Sequence, residues 1–283
     1  MIIPKHFIMK EIDFLMDNYH SFKIPNFKSL MNSQYGGGKQ ELVKFIDQGG
    51  LYTYRVNTMV YKDNSLVHIA VVTDKEEECV TIIIDINKNI VSLHNMTYYN
   101  NCAIEGLRKP GGGSKLLRFA LNLILKYQEK YKFKRIFLRD NSFRHCGDIK
   151  VSLAQLRMIT HGEPWYMAYG FKPYDTLSEK PSITALNTIK KNNKILQTLK
   201  TNSINVINIV VKTISEDKLK NINVNKIKQL MNDYPLMRNF IILLSNQYDL
   251  YCDILVPILD ELYNVKNKIG LTDVSNKSYY LDI

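Results

Sequence analysis

The chain has 283 residues, of which 45% are hydrophobic and 23% charged, a composition typical of a folded protein with a sizeable core. It contains no run of about eighteen uncharged apolar residues, and the apolar start Met1-Ile2-Ile3 is too short for the core of a signal peptide. We therefore expect neither a membrane span nor secretion, and we predict an intracellular, cytoplasmic protein.

The formal net charge of +11 raises the question of a nucleic-acid partner. The lysines, however, are scattered among Asn, Glu and Asp and do not alternate with aromatic residues as in a ribonucleoprotein motif. The abundance of Asn, Lys, Ile and Tyr instead indicates an AT-rich coding genome, as in some large DNA viruses or parasites. The charge pattern therefore argues against a nucleic-acid partner.

The four cysteines are Cys79, Cys102, Cys146 and Cys252, and they are widely spaced. They form no C-x-x-C pair and no Cys/His cluster with the spacing of metal ligands. The sequence therefore predicts reduced, partly buried thiols, with neither a metal site nor a disulfide scaffold.

The first predicted elements are two helices followed by an antiparallel meander. Residues 7–19 carry apolar side chains at helical spacing, and residues 39–47 are predicted as a second, short helix after the turn at Gly36-Gly37-Gly38. From residue 51 the pattern changes to short β-rich runs separated by turn residues. The predicted strands span residues 51–62, 65–73, 79–86 and 90–99.

A glycine-rich segment, Arg108-Lys109-Pro110-Gly111-Gly112-Gly113, runs directly into an apolar helix predicted over residues 114–131. Glycines allow close backbone approach, and the first turn of a helix offers unpaired N–H groups, so the segment suits a pyrophosphate. The spacing fits neither a Walker loop nor a dinucleotide fingerprint, which would need a third glycine at Leu116. It does fit the pattern R/Q-x-x-G-x-G/A, with Arg108, Gly111 and Gly113 at the three defined positions.

After this helix, the sequence predicts a buried strand over residues 135–139 and a helical stretch near residues 149–160. An aromatic segment then carries the pattern Tyr-x-x-x-Gly-Phe-x-Pro, at Tyr166, Gly170, Phe171 and Pro173. Beyond residue 180, apolar positions recur mostly every three or four residues, which predicts a helical appendage. Its predicted elements span residues 183–199, 203–214, 217–232, 237–247 and 250–263, and residues 204–211 fit either a late strand or a buried helix.

The two motifs and the order of elements resemble the general N-acetyltransferase (GNAT) superfamily. The resemblance implies an α/β (mixed α+β) fold with a central, mostly antiparallel sheet flanked by helices in residues 1–178, followed by a mostly helical region in residues 179–283. The sequence departs from the family pattern in two places. The span of residues 142–164 is long, which suggests an extra turn or helix lining the acceptor cleft, and no closing hairpin is evident after Tyr174.

The resemblance also implies acetyl-coenzyme A as the acyl donor and direct transfer of its acetyl group to a primary amine. The residues expected to bind the cofactor are Arg108, Lys109, Gly111, Gly112, Gly113, Ser114 and Asn141, and Lys115 could add charge. A backbone N–H near residues 97–101, where the strand before the glycine loop separates from the next one, would polarise the thioester.

The family's general acid corresponds to Tyr166, although a tyrosine in an aromatic helix also fits core packing. Glu105 and His94 are the main candidates for the base that takes the proton from the amine, and Asp140, His145 and Glu163 are further candidates by position.

Two alternatives to an acetyl-coenzyme A-dependent enzyme, and three roles for the helical region, stay open at this point. The chain could be an inactive scaffold of the same fold that binds protein or nucleic acid through its basic helical region, or an enzyme that uses a longer acyl chain or an aminoacyl-tRNA as donor. The helical region could pack on the catalytic domain, shape the acceptor site or form a homodimer contact. The acceptor class is not evident from the sequence, although the positive charge favours neutral or acidic acceptors over polyamines.

Overall fold

The computed structural model describes residues 35–47, 50–61, 63–73, 78–96, 112–214, 222–264 and 269–283. The chain divides into two compact units. We call Met1–Phe143, Gly170–Lys180 and Asn276–Ile283 the sheet unit, and Arg144–Tyr169 and Pro181–Ser275 the helical unit. The domain boundary expected from the sequence, at residue 178, stays a prediction.

The described residues form eleven strands, of which nine build one mostly antiparallel sheet and two a separate hairpin. The strands are β1 (Tyr35–Asp47), β2 (Gly50–Tyr61), β3 (Leu66–Val72), β4 (Glu78–Asp85), β5 (Ile90–Met96), β6 (Arg135–Arg139), β7 (Phe143–Cys146), β8 (Ile149–Ser152), β9 (Lys172–Asp175), β10 (Lys180–Pro181) and β11 (Ser278–Asp282). The order in the large sheet is β1-β2-β3-β4-β5-β6-β11-β9-β10. The mixed fold with a large, mostly antiparallel sheet is therefore confirmed.

The predicted meander is confirmed as β2 to β5, which pair antiparallel in sequence order. The helix predicted over residues 39–47 is wrong, because this segment belongs to β1 and pairs along its length with β2. The predicted helix over residues 7–19 lies outside the described residues.

Parallel pairing occurs between β5 and β6, in register from Ile90 opposite Arg135 to Leu93 opposite Leu138. Helix α1 (Gly112–Tyr131) connects these two strands and packs against β4 and β5, as its prediction over residues 114–131 anticipated. Its buried side chains include Leu116, Leu117, Ala120, Leu123 and Ile124. Each of the leucine and isoleucine side chains contributes about 1.5–3 kcal/mol when fully buried, so the helix is fixed to the sheet mainly by apolar contact.

The large sheet is completed by β11, which pairs antiparallel with β6 on one side and β9 on the other. This strand was not among the predicted elements, and the segment 204–211, which fitted either a late strand or a buried helix, is mostly helical. The closing strand comes from a segment about a hundred residues after β9, because the whole second part of the helical unit intervenes.

The helical unit contains the hairpin β7–β8, which begins at the unit boundary, and six α-helices of the described chain. These are α2 (Leu153–His161), α3 (Ile183–Thr198), α4 (Val206–Thr213), α5 (Val224–Asp233), α6 (Met237–Asn246) and α7 (Tyr248–Leu262). The predicted helical character of the region beyond residue 180 is thus confirmed, apart from β10 and β11. The long span of residues 142–164 contains the hairpin and α2.

Side-chain caps fix where several of these helices begin. The Ser152 Oγ accepts a hydrogen bond from the Gln155 N–H, and Ser182, Asn205 and Asn223 cap α3, α4 and α5 in the same way. Helix α2 ends at Gly162, whose φ of 83° places it in the left-handed region that glycine adopts readily. A Cβ at this position would collide with the Asn193 side chain, so the backbone and its surroundings both favour glycine here.

Cys146 and Cys252 form a disulfide bond between β7 and α7 within the helical unit. Cys79 in the sheet unit is also disulfide-bonded. The prediction of reduced thiols is therefore wrong for these three cysteines. Spacing rules could not reveal the pair Cys146–Cys252, because 106 positions separate the two residues in sequence.

Helices long and apolar enough to cross a lipid bilayer do not occur in the described part of the chain.

Candidate functional site

The large sheet opens where the parallel strands β5 and β6 end. Their ladder stops at Leu93 and Leu138. Beyond that point β5 continues beside β4, since Met96 pairs with Val80, whereas Arg139 of β6 pairs with Ser278 of β11. The two strands therefore separate at their carboxyl ends, which is the edge of an α/β sheet where ligands commonly bind.

A cavity of about 350 Å³ lies at this opening. Along β5 and β6, one face of the sheet carries Ser92, His94, Phe137 and Arg139, and the other face carries Leu93 and Leu138. The complete lining, all within the sheet unit, is Ile90, Ser92, Leu93, His94, Phe137, Leu138, Arg139, Tyr174, Thr176, Glu179 and Ser278. This volume and this mixture of aromatic walls with a few polar groups are typical of a small-molecule site.

His94 lines this cavity and follows directly after Leu93, the last residue of β5 that pairs with β6. Burial by the surrounding protein lowers the pKa of His94 below its ordinary value of 6.5, although part of the ring is exposed. The ring is therefore mostly neutral at pH 7 and can accept a proton.

Two aromatic side chains, Phe137 and Tyr174, line the same cavity as His94. The rings of Phe137 and Tyr174 meet edge to face, with centroids 4.9 Å apart. Burial and then the negative charge of Glu179 raise the pKa of Tyr174. Its phenol therefore stays protonated at neutral pH and can donate a hydrogen bond into the cavity.

Asp140 follows β6 immediately and is completely buried. Its Oδ1 atom accepts hydrogen bonds from the Ser142 N–H at 3.0 Å and the Ser142 hydroxyl at 2.5 Å. Desolvation nevertheless dominates and raises the pKa of Asp140 to about 6, while the hydrogen bonds from Ser142 partly oppose this change. A carboxyl group with a pKa near neutrality, next to an opening, is a common property of functional sites.

The first turn of α1 lies at the same edge of the sheet, because this helix connects two parallel neighbours. Gly113 and Ser114 are buried there, and Lys115 is half-buried. The first turn contains no acidic residue. The unpaired N–H groups of a helix start, without a competing carboxylate, can bind an anion.

The structure brings several of the predicted site residues to this edge of the sheet: His94, Gly113, Ser114 and the half-buried Asn141. The other predicted site residues of this region lie outside the described residues, namely Glu105, Arg108, Lys109, Gly111 and residues 97–101. Only the backbone of Gly112 is described.

Tyr166 belongs to the helical unit, in a 3-10 helix over Trp165–Tyr169. Its side chain is 5% exposed, and its ring centroid lies 4.7 Å from that of Trp165. This environment agrees with core packing, one of the two interpretations that the sequence left open for Tyr166. His145 and Glu163 also lie in the helical unit, and both are half-buried.

Sequence reasoning missed most of the cavity wall, namely Phe137, Arg139, Tyr174, Thr176, Glu179 and Ser278. One signal was available, because residues 278–282 are a short β-prone run that could have been recognised as a strand beside β6. The other residues come from separate segments that only the folded sheet brings together.

The cavity itself combines a neutral imidazole and a protonated phenol, while the buried Asp140 follows the end of β6 and the start of α1 lies at the same edge of the sheet. Such an arrangement can bind an anionic ligand along its edge and take a proton from a group held in the cavity. The sequence matches no protein-family model and no curated protein.

Proposed function

We propose that the protein is an acetyl-coenzyme A-dependent N-acetyltransferase that transfers the acetyl group directly to a primary amine. The observation that carries this proposal is the gap that begins where the β5–β6 ladder ends at Leu93 and Leu138, beside a cavity of about 350 Å³ lined by residues of both strands. A thioester needs such a gap, because its carbonyl must meet a backbone N–H that no neighbouring strand occupies. The glycine motif and the aromatic motif, which resemble those of the GNAT superfamily, support the same function.

In this proposal the pyrophosphate of the cofactor binds at the first turn of α1. Gly111, Gly112, Gly113 and Ser114 would supply backbone N–H groups, and Arg108 would supply a positive charge. The half-buried Lys115 adds a second charge on the same turn. Lys109 and Asn141 complete the expected binding set.

The acceptor amine would occupy the cavity between His94 and Tyr174. Its nitrogen attacks the thioester carbonyl, the C–S bond breaks, and the coenzyme leaves as a thiolate that needs a proton. His94, neutral at pH 7, would take the proton from the amine. Tyr174 lines the cavity and is a candidate proton donor to the thiolate, as an alternative to Tyr166. Glu105 stays a candidate base by position.

Isothermal titration of the complete chain with acetyl-coenzyme A, with free coenzyme A and ATP as comparison ligands, tests this proposal. We expect micromolar binding of acetyl-coenzyme A. Lys115→Glu should weaken it by at least about tenfold, because an acidic residue then opposes the pyrophosphate at the helix start. Lys130→Glu is the matched control, since it makes the same charge change in the last turn of the same helix. Absence of binding by the folded chain would contradict the proposal and favour a scaffold of the same fold.

The role of His94 is tested in an acetylation assay with the acceptor that a screen of amines identifies. The transfer rate should rise as pH increases through the pKa of His94, with a midpoint below 6.5. His94→Gln should lower kcat by about 100-fold or more and remove this pH dependence, while the affinity for acetyl-coenzyme A stays unchanged. A variant with the wild-type pH profile would exclude His94 as the base.

A further inference from the structure

Three potential metal ligands come together in the helical unit, at the junction of β7 and α7. In the described part of the chain, the ligand atoms of Cys146, Cys252 and Asp253 all lie within 4.8 Å of one another. Cys146 is buried, whereas Cys252 and Asp253 are half-buried and within reach of solvent. In the structure the two sulfurs are joined as a disulfide bond.

The position of the carboxylate suits a zinc-like cation. Asp253 Oδ1 lies 3.6 Å from Cys146 Sγ. Bond lengths of about 2.3 Å for Zn–S and about 2.1 Å for Zn–O at a tetrahedral angle place sulfur and oxygen roughly 3.6 Å apart. The pair therefore already has the separation that two ligands of one zinc ion require. The Cα atoms of Cys146 and Cys252 are 5.7 Å apart, so their sulfurs can move apart to a similar distance by side-chain rotation alone.

A second contact holds the same two elements together without the sulfur atoms. The Arg144 guanidinium lies 3.8 Å from the centre of the Tyr248 ring, and its Nη2 atom lies 3.5 Å from Asp249 Oδ1. Arg144 precedes Cys146 by two positions on β7, and Tyr248 precedes Cys252 by one turn of α7. Reduction of the disulfide would thus leave β7 beside α7, with the three ligands still close together.

We propose that Cys146, Cys252 and Asp253 form a redox-controlled site for a thiophilic divalent cation such as Zn²⁺. A dithiol reductant supplies two electrons and two protons, the S–S bond breaks, and the reductant becomes a disulfide. Both thiols lose their protons when the cation binds, and water fills the fourth position. Two thiolates and one carboxylate carry three negative charges, and the cation neutralises two of them. Oxidation by a small-molecule disulfide restores the Cys146–Cys252 bond and releases the cation.

The test is a titration of the full-length protein with Zn²⁺ against a chromogenic chelator, performed on oxidised and on reduced protein. We expect the reduced protein to bind Zn²⁺ at this site and the oxidised protein not to bind it. Cys79 is also disulfide-bonded, so reduction frees it as well. Zinc bound at the proposed site is therefore measured by comparing two reduced proteins, the wild type and Cys146→Ser. We expect the wild type to bind one more Zn²⁺ ion per chain than the variant.

Asp253→Asn distinguishes a three-ligand site from two thiols that bind zinc without specificity. It should weaken Zn²⁺ binding by about 10- to 100-fold while leaving the disulfide able to form. Asp260→Asn, which removes another carboxylate of the same helix, should have no effect. Equal zinc affinity in wild type and Asp253→Asn, equal stoichiometry in wild type and Cys146→Ser, or equal binding by oxidised and reduced protein would each overturn the proposal.

Discussion

The sheet unit and the helical unit use their polar side chains differently. In the sheet unit, His94, Arg139 and Glu179 stand around a cavity at the edge of the sheet, where a ligand can reach them. In the helical unit, polar groups link segments that are distant in sequence. The buried Asn192 exchanges two hydrogen bonds with the backbone of Thr272, and Arg238 donates to the Ile159 carbonyl.

This difference indicates where chemistry should be sought. A polar side chain whose hydrogen bonds are used within the fold is costly to remove but has little capacity left for a ligand. A side chain at an open cavity contributes less to stability and can bind or react. We therefore place the proposed transferase chemistry in the sheet unit, and we expect the helical unit to be sensitive mainly in its stability.

The largest expected effect in this comparison concerns the disulfide of the helical unit. Cys146→Ser removes a link between residues 106 positions apart, which should lower the free energy of unfolding by about 4 kcal/mol through the greater entropy of the unfolded chain. Trp165, the only tryptophan of the chain, is buried in the same unit, so urea denaturation followed by its fluorescence measures the change.

Cys252→Ser and the double variant are the controls for this prediction. Both should lose the same amount as Cys146→Ser, because all three variants break one bond. Losses that add up in the double variant would mean that the two cysteines act separately.

The second effect concerns the buried Asp140 of the sheet unit. Its pKa is raised from 3.8 to about 6, so the folded state favours the protonated carboxyl group, and this contribution to stability is lost as pH rises from about 4 to 6. Relative to Asp140→Asn, which cannot titrate, the wild type should lose about 2 kcal/mol between pH 4 and pH 7. Urea denaturation curves of both proteins, followed by circular dichroism across this range, measure the difference. A constant difference would show that Asp140 has an ordinary pKa in the folded protein.

The smallest expected effect concerns His161 of the helical unit. Its pH dependence is opposite to that of Asp140, because stability is lost as pH falls. Burial, followed by repulsion from Arg157 and Arg238, lowers the pKa of His161 to about 4. Its contribution to stability is therefore present above pH 6.5 and lost as pH falls towards 4. The ring is partly exposed, so we expect less than about 1 kcal/mol between wild type and His161→Gln. Denaturation curves at pH 7.5 and pH 4.5, followed by Trp165 fluorescence, measure this difference in stability. A loss of wild-type stability relative to His161→Gln on raising the pH would contradict a lowered pKa of His161.

Much of the fold was predictable because local patterns and final contacts agree. The strands β2 to β5 are β-rich runs separated by turn residues, and α1 presents a continuous apolar side to β4 and β5. Residues 39–47 were mispredicted because their composition suits a helix, whereas pairing with the whole length of β2 decides their structure. Strand β11 and the pair Cys146–Cys252 depend on partners about a hundred residues away, which no local pattern records.

The sequence predicted only those site residues that lie within a short, recognisable segment. The glycine motif pointed to the start of α1, and His94 was named because it lies on the predicted strand 90–99, which was expected to face the acceptor. The cavity wall could not be predicted, because β6, β11 and the segment around β9 meet there from three parts of the chain. Asp140 was named by position, but its raised pKa follows from complete burial, which only the structure supplies.

The position of β11 also determines when the sheet can be completed during synthesis. In the described chain, β9 and β10 join the large sheet only through β11, and β11 leaves the ribosome after the entire helical unit. Until then the outer edge of β6 has no partner strand in the described chain, and nascent chains expose it while about 140 residues are made. The helical unit can thus fold before β11 is made, and the cavity beside β6 takes its final form only once β11, which supplies Ser278, has joined the sheet.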